Sequence, residues 1–179
     1  MNQSALRIFT VGHSTHPIEH FLGLLGEQQI ALVADVRSFP SSRKWPQFNQ
    51  EELSQSLLRA GIQYQWLKRL GGRRHSKRKD SPHTGWTHPA FRSYADYTES
   101  ADFAGGLEEL TAPARAARAV YLCSEGLWWR CHRRIISDYL VLRGWQVDHI
   151  MPDGKLRQHE MTPFARIADG HIVYDGVSG

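Results

Sequence analysis

Apolar positions along the chain form short runs separated by amphipathic stretches, and this pattern predicts strands that alternate with helices. Continuous apolar runs are typical of strands covered on both faces, whereas residues 62–67 alternate apolar and polar positions, as a half-buried strand does. The predicted strands are residues 7–11, 30–34, 62–67, 119–123 and 145–151, with a smaller strand near 171–174.

Helical periodicity fills most of the intervals between these strands. The apolar positions of residues 18–25 recur at helical spacing after Pro17, a residue that the first turn of a helix tolerates. Asn49 is predicted to cap a second helix, with Glu51 and Glu52 in the first turn, where the helix dipole favours acids. The remaining predicted helices are residues 91–97, 103–110 and 131–142.

This alternation of strands and helices predicts an α/β fold with a mostly parallel open sheet and helices on both faces. The chain of 179 residues suits a single domain, residues 1–179, which is large enough for a proper core. Residues 68–89 are rich in basic residues and turn formers and have no recognisable packed positions. We expect them to form a basic flexible loop.

Composition narrows the class of protein. Hydrophobic residues make up 41% of the chain and charged residues 22%, as in an ordinary globular protein. No run of about twenty apolar residues predicts a membrane span, and the first residues lack the pattern of a signal peptide. Two cysteines are too few for a disulfide framework. We therefore expect a cytoplasmic protein with free thiols and no membrane partner; the oligomeric state is not indicated.

The net charge of +4 is unevenly distributed. Seven basic residues carry +7 between residues 68 and 79, so the rest of the chain carries −3. Such a patch points to an anionic ligand such as a nucleotide or nucleic acid, although a solvated loop whose lysines favour solubility explains it equally well. The seven residues are Lys68, Arg69, Arg73, Arg74, Lys77, Arg78 and Lys79.

Side chains capable of acid–base chemistry follow the predicted strands directly. The carboxyl ends of parallel strands lie at one edge of a sheet, where ligands bind, so we expect these side chains to converge there. Asp35, Glu125 and His13 are candidate general acids or bases. Arg37 is a candidate clamp for a phosphate or carboxylate. The alternative for each carboxylate is an ion pair with an arginine that orients the loops.

Both cysteines lie around one strand-to-helix junction. Cys131 is predicted at the start of a helix, whose unpaired N–H groups bind anions and lower the pKa of a thiol. It is therefore either a nucleophile or a small buried apolar residue. Cys123 ends a buried strand, and the spacing of the two is not a recognised redox motif. We expect either Arg133 or Arg134 to face the pocket and the other to lie on the helix surface.

Histidine spacing and two adjacent tryptophans bear on metal binding and on the shape of the pocket. His16 and His20 lie one helical turn apart, but the chain has no C-x-x-C or H-E-x-x-H motif, so we predict no metal and no cofactor. Trp128 and Trp129 precede the last predicted helix, and we expect them to wall a pocket or form its lid.

Five motifs spread over nearly the whole chain carry a family resemblance. They are TVGHST near the start, DVRSFP after the second strand, LGGR after the third, LCSEGLWWRCHRRIISDYL, and VDHIMPDGKLRQH. With these motifs the chain resembles the bacterial domain-of-unknown-function four-eight-eight family. The resemblance implies an α/β fold with a shared pocket and no established activity. The signature positions that it implies are His13, Asp35, Arg37, Gly71, Gly72, Cys123, Glu125, Cys131, His132 and Arg133.

These observations support three functions, of which the strongest is an enzyme acting on a phosphate-bearing substrate such as a nucleotide or nucleic acid. Such an enzyme would be a hydrolase or transferase. Its candidate catalytic residues are Glu125, Asp35, His13 and Cys131. Its candidate substrate-binding residues are Arg37, His132, Arg133, Gly71, Gly72 and Cys123. The second function is a non-catalytic nucleic-acid-binding module that uses residues 68–79, and the third is sulfur transfer or redox chemistry at Cys131.

Overall fold

A computed structural model of the protein describes residues 5–176. The strands of its central sheet are β1 (Arg7–Gly12), β2 (Leu32–Asp35), β3 (Gln63–Trp66), β4 (Ala119–Cys123), β5 (Gln146–Ile150) and β6 (Leu156–Gln158). Their order is β3-β2-β4-β1-β5-β6, and every neighbouring pair is parallel except β5 with β6. The predicted mostly parallel open sheet is confirmed. Residues 1–4 and 177–179, which the predicted domain includes, lie outside the described residues.

Helices and a short hairpin surround this sheet. The α-helices of the described residues are α1 (Ile18–Glu27), α2 (Gln50–Arg59), α3 (Pro89–Tyr97), α4 (Ala101–Ala114) and α5 (Arg133–Leu142). The hairpin pairs β7 (Ala165–Ala168) with β8 (His171–Tyr174) in antiparallel register. Within residues 5–176 we find no helix with the length and apolar character needed to cross a bilayer.

Apolar side chains cover both faces of the sheet. On β1, Ile8 belongs to the core beneath α3, α4 and α5, whereas its neighbour Phe9 belongs to the core beneath α1 and α2. Successive side chains of a strand point to opposite faces, so a strand covered on both faces needs consecutive apolar residues. This explains the continuous apolar runs, and it confirms the prediction of helices on both faces.

Some predicted boundaries are wrong. α5 begins at Arg133 and not at Cys131, because the backbone of Cys131 is extended (φ −137°, ψ 169°) after a 3₁₀ turn at Trp128–Arg130. α4 continues beyond the predicted end at residue 110 to Ala114. Strands β6 and β7 were not predicted, because they are short and most of their side chains are exposed, which leaves no apolar pattern.

The loop predicted at residues 68–89 is attached to the rest of the protein. Residues 71–88 contain neither helix nor strand. The interpretation that nothing there is packed is wrong, because His83 and Trp86 are buried. The ring of Trp86 contacts that of Tyr174 on β8, with centroids 5.2 Å apart. Contacts between residues so distant in the chain leave no local sequence pattern.

Candidate functional site

A cavity of about 1120 Å³ opens at the carboxyl edge of the sheet. It is bordered by the residues that follow β1, β2 and β4 and by the segment that precedes α5. Parallel strands present their carboxyl ends at this edge, which is why segments distant in sequence meet here. The predicted site residues that line the cavity are His13, Arg37, Gly72, Arg73, Cys123, Glu125, Cys131 and His132.

Asp35 and Arg37 form a buried ion pair beside the cavity. Arg37 donates to the carboxylate of Asp35 from Nε at 2.9 Å and from Nη2 at 2.7 Å, and the hydroxyl of Tyr64 donates to the same carboxylate at 2.6 Å. The third nitrogen of Arg37 donates to the carbonyl of Phe48 at 2.8 Å. The carboxylate is fully buried. This arrangement favours the ion-pair interpretation over a free general acid or a free phosphate clamp.

His13 is held as a neutral ring. It stacks on Phe48 with ring centroids 4.2 Å apart, and its Nδ1 lies 2.9 Å from the carbonyl oxygen of Ser14. Its Nε2 faces Nη1 of Arg37 at 3.4 Å. Burial and the charge of Arg37 lower the pKa of His13 to about 4, despite the bond to Ser14. At neutral pH the ring therefore donates to Ser14 from Nδ1 and accepts at Nε2.

The two cysteines lie together at the floor of the cavity. Their sulfur atoms are 3.1 Å apart, and neither cysteine is in a disulfide. Nε of Arg133 lies 3.1 Å from the sulfur of Cys123 and 3.2 Å from that of Cys131. The backbone N–H of Arg133 also donates to the sulfur of Cys131, at 3.3 Å. A single guanidinium therefore contacts both sulfurs.

These contacts separate the acidities of the two thiols. Burial raises the pKa of Cys131, but the hydrogen bond from Cys123 and the charge and hydrogen bonds of Arg133 together lower it to about 6. Burial, followed by the hydrogen bond with Cys131, raises the pKa of Cys123 well above its ordinary value. At neutral pH Cys131 is therefore mostly thiolate and Cys123 a thiol that donates to it.

Arg133 is buried beneath the cavity and does not face it. The residue is only 1% exposed. Besides the two sulfurs, its guanidinium donates to the hydroxyl of Thr10 at 2.9 Å and to the carbonyl oxygen of Glu125. The geometry makes Arg133 a counter-ion for the cysteines, in contrast to the expected grip on a bound anion. Arg134 points the other way, to the hydroxyl of Thr162 at 3.1 Å.

His132 packs against Gly72 of the LGGR motif, and both His132 and Gly71 of that motif contact the loop after β2. Nε2 of His132 lies 2.8 Å from the carbonyl oxygen of Val36. A Cβ on Gly72 would lie 2.5 Å from the His132 ring, and one on Gly71 would lie 2.6 Å from the hydroxyl of Ser38. The glycines are therefore required by close packing around the cavity.

Glu125 borders the cavity, and its carboxylate accepts the N–H of Leu127 at 3.2 Å. Trp129 also lines the cavity and is 36% exposed. Trp128 does not line it: its ring stacks on His149 with centroids 4.3 Å apart and an interplanar angle of 3°. Of the two tryptophans expected at the pocket, only Trp129 lies there.

Three arginines of the basic segment are engaged by the protein itself. Arg69 pairs with Glu109 at 3.2 Å, and Arg78 lies in a group of carboxylates that includes Glu99. The guanidinium of Arg74 donates to the main-chain carbonyl oxygens of Lys68, Arg69 and Gly71. The guanidinium groups of these three arginines therefore already have carboxylate or carbonyl partners within the protein.

Of the other four basic residues, one lines the cavity and three lie elsewhere on the surface. Arg73 lines the cavity, and its guanidinium lies 5.4 Å from the ring centroid of Phe39. Lys68, Lys77 and Lys79 are exposed and are not among the residues that line the cavity. The seven predicted residues therefore divide between internal contacts, the cavity and the outer surface.

A buried hydrogen-bonded chain behind the cysteines was not predicted. Thr10 is 2.7 Å from Nδ1 of His149, whose Nε2 is 2.9 Å from Nδ1 of His159. Nε2 of His159 is in turn 2.8 Å from the carboxylate of Asp138, and Arg133 contacts Thr10 at the other end. One signal was available: Thr10 is a polar position inside the otherwise apolar run of residues 8–11 in β1. No three His, Cys, Asp or Glu side chains among residues 5–176 are arranged to hold a metal ion.

Comparisons with known proteins place the chain in a family. Curated proteins and solved structures yield no match. The family model described as Domain of unknown function DUF488 matches residues 17–140, which is more than half of the chain. The chain therefore belongs to the DUF488 family.

Proposed function

We propose that this protein is a thiol-dependent enzyme in which Cys131 attacks an electrophilic sulfur atom of a substrate and Cys123 completes the exchange. The observation that carries the proposal is the 3.1 Å separation of the two sulfurs, with the guanidinium of Arg133 against both. The cavity of about 1120 Å³ above them is large enough for a substrate of moderate size.

The first step uses the charge that Cys131 carries at neutral pH. Its thiolate attacks one sulfur of a substrate disulfide, a mixed disulfide with Cys131 forms, and the other half of the substrate leaves as a thiolate. The nucleophile lines the cavity and is more accessible than Cys123, which is 3% exposed. A low pKa and access to the substrate are the two properties that such an attacking thiol needs.

The second step uses the shared guanidinium. Once Cys131 is in a mixed disulfide it carries no charge, so Arg133 stabilises a thiolate on Cys123 instead. Cys123 loses its proton to the departed thiolate or to solvent and attacks the sulfur of Cys131. The rest of the substrate leaves as a thiolate. The substrate disulfide is thereby reduced to two thiols and the two cysteines are oxidised to one disulfide, which an external thiol reduces again.

A chromogenic aryl disulfide tests this proposal, because the chain has only two cysteines. The reduced protein should release two coloured thiolates per chain, and mass spectrometry should find an internal disulfide with no aryl adduct. Cys123→Ser should release one and retain the adduct on Cys131. Cys131→Ser should react slowly, at the rate of a buried thiol. A wild-type product with an aryl group on each cysteine would refute the two-step exchange.

A phosphate-bearing substrate is a second candidate, supported by the positions of Arg73 and Arg130. Both line the cavity that contains Cys131, whereas the guanidinium groups of Arg37 and Arg133 already donate to the protein. A nucleotide bound there should slow alkylation of Cys131 in the wild type. The protection should weaken in Arg73→Gln or Arg130→Gln, but not in the exposed control Arg43→Gln. Equal protection in all four proteins would remove this candidate.

A further inference from the structure

The hydrogen-bonded chain of side chains behind the cysteines begins and ends on α5, so that the helix closes it into a loop. It leaves α5 at Arg133, passes through Thr10 on β1 and His149 on β5, and continues to His159 after β6. It returns to α5 at Asp138. All five residues are at most 4% exposed. A fully connected polar network in a core is costly to disturb, since each broken contact leaves a buried polar group unpaired.

With two neutral imidazole rings, only one assignment of hydrogens satisfies every contact in this loop. A guanidinium can only donate and a carboxylate can only accept, so both ends have a fixed polarity. Thr10 therefore accepts from Arg133 and donates to Nδ1 of His149. His149 then donates from Nε2 to His159, which donates from its own Nε2 to Asp138.

The electrostatics around the loop agree with that assignment. Burial, followed by the electrostatic influence of the nearby His159, Arg133 and Arg157, lowers the pKa of His149 to about 2. The carboxylate of Asp138 also accepts the hydroxyl of Tyr174 at 2.8 Å and the N–H of Thr162 at 3.0 Å. Both oxygens of Asp138 therefore accept hydrogen bonds, and the carboxylate anchors the far end of the loop.

We propose that Thr10, His149, His159 and Asp138 are positioning residues that hold the guanidinium of Arg133 against both cysteine sulfurs. This inference rests on the proposed function, since it assigns a role in the same thiol reaction. An arginine side chain has several rotatable bonds, and nothing in its chemistry directs Nε toward a sulfur. The bonds to Thr10 and to the carbonyl oxygen of Glu125 engage the outer nitrogens, which leaves Nε facing the sulfurs.

The stacking of Trp128 connects this loop to the cavity. Trp128 covers the ring of His149 and belongs to the segment that joins Glu125 to Cys131. The position of the segment that borders the cavity is therefore coupled to the ring of His149. Other titratable groups near the cysteines include His132 before α5, Tyr94 on α3 and Tyr121 on β4, and His13 and Glu125 line the same cavity.

The test compares Thr10→Val with Thr10→Ser, which differ in whether a hydroxyl remains to bridge Arg133 and His149. The measurement is the rate of alkylation of Cys131 by iodoacetamide as a function of pH, with the site identified by peptide mapping. In Thr10→Val the midpoint should move upward by about one pH unit, roughly a tenfold loss of thiolate at low pH. Thr10→Ser should retain the wild-type midpoint. His159→Gln, which breaks the loop farther from the sulfurs, should give a smaller shift in the same direction.

Thermal melting tests whether each variant is folded. If Thr10→Val does not fold, His159→Gln is used to test the inference instead. Identical midpoints in the wild type and in the folded variants would overturn the inference. The outcome is separate from that of the proposed function. Release of a single coloured thiolate from wild-type protein would contradict the exchange reaction, whereas the alkylation midpoint tests only whether the buried loop controls Arg133.

Discussion

Thr10 and His149 occupy the same register on the adjacent strands β1 and β5, and a 2.7 Å hydrogen bond joins their side chains. Each lies in a strand whose other residues are mostly buried. A shift of either strand by one residue would place the two side chains on opposite faces of the sheet. The contacts of Arg133, and through them those of the cysteines, therefore depend on correct pairing of the central strands.

Mild oxidation should join the two cysteines within one chain. Hydrogen peroxide converts the Cys131 thiolate to a sulfenic acid and releases hydroxide, and the Cys123 thiol then displaces water to form the disulfide. The contact of 3.1 Å exceeds a disulfide bond of about 2.05 Å, so only a small movement is required. Mass spectrometry should find the loss of two hydrogens per chain.

The matched control for oxidation is Cys123→Ser. This variant should accumulate a sulfenic acid on Cys131 that dimedone traps, since no second thiol is present to displace water. Dimedone labelling of wild-type protein at the same level as Cys123→Ser would contradict the role assigned to Cys123.

Asp35→Asn should destabilise the protein strongly. The substitution leaves the buried guanidinium of Arg37 without its counter-ion, and breaking a buried pair costs about 3–5 kcal/mol. Tyr64→Phe removes only the hydroxyl that donates to the carboxylate and should cost about 1 kcal/mol. Urea unfolding measures the free energy of unfolding of both variants. Equal losses would refute the claim that the ion pair contributes more than the hydrogen bond of Tyr64.

Stability should fall as the pH falls below 6.5. Burial lowers the pKa of His13 to about 4 and that of His149 to about 2. Between those values and 6.5 the unfolded chain binds protons that the folded protein does not, so acid favours unfolding. Each histidine contributes a slope of about 1.4 kcal/mol per pH unit. Urea unfolding from pH 7 to pH 5 measures the slope, which should be unchanged in His75→Gln, a substitution at an exposed position.

Gly72→Ala should disturb the cavity, since the added methyl would lie 2.5 Å from the ring of His132. We expect a loss of about 1–3 kcal/mol, typical of overpacking, and slower alkylation of the neighbouring Cys131. Gly23→Ala on α1 is the control, because no atom outside the neighbouring residues and backbone of its own helix lies within 4 Å of the added methyl. It should stabilise the helix by about 0.5–1 kcal/mol. Urea unfolding and the rate of Cys131 alkylation are measured for both variants. Similar changes in the free energy of unfolding would contradict the packing argument.

Local pattern accounts for the sheet, for the helices on both faces and for the edge at which the cavity lies. Consecutive apolar residues encode a strand covered on both sides, and parallel strands bring the segments after them to one edge. His13, Arg37, Cys123, Glu125 and Cys131 could therefore be expected at that edge from the order of elements alone, and all of them line the cavity.

The directions and contacts of those side chains depend on tertiary packing. No spacing in the chain indicates that the sulfurs of Cys123 and Cys131 touch, or that Arg133 turns inward while Asp35 and Arg37 pair with each other. Thr10 and His149 are 139 positions apart and meet only because β1 and β5 are neighbours in the sheet. The periodicity of the sequence indicates which residues are buried. Which group each buried polar atom contacts is decided only when distant segments pack together.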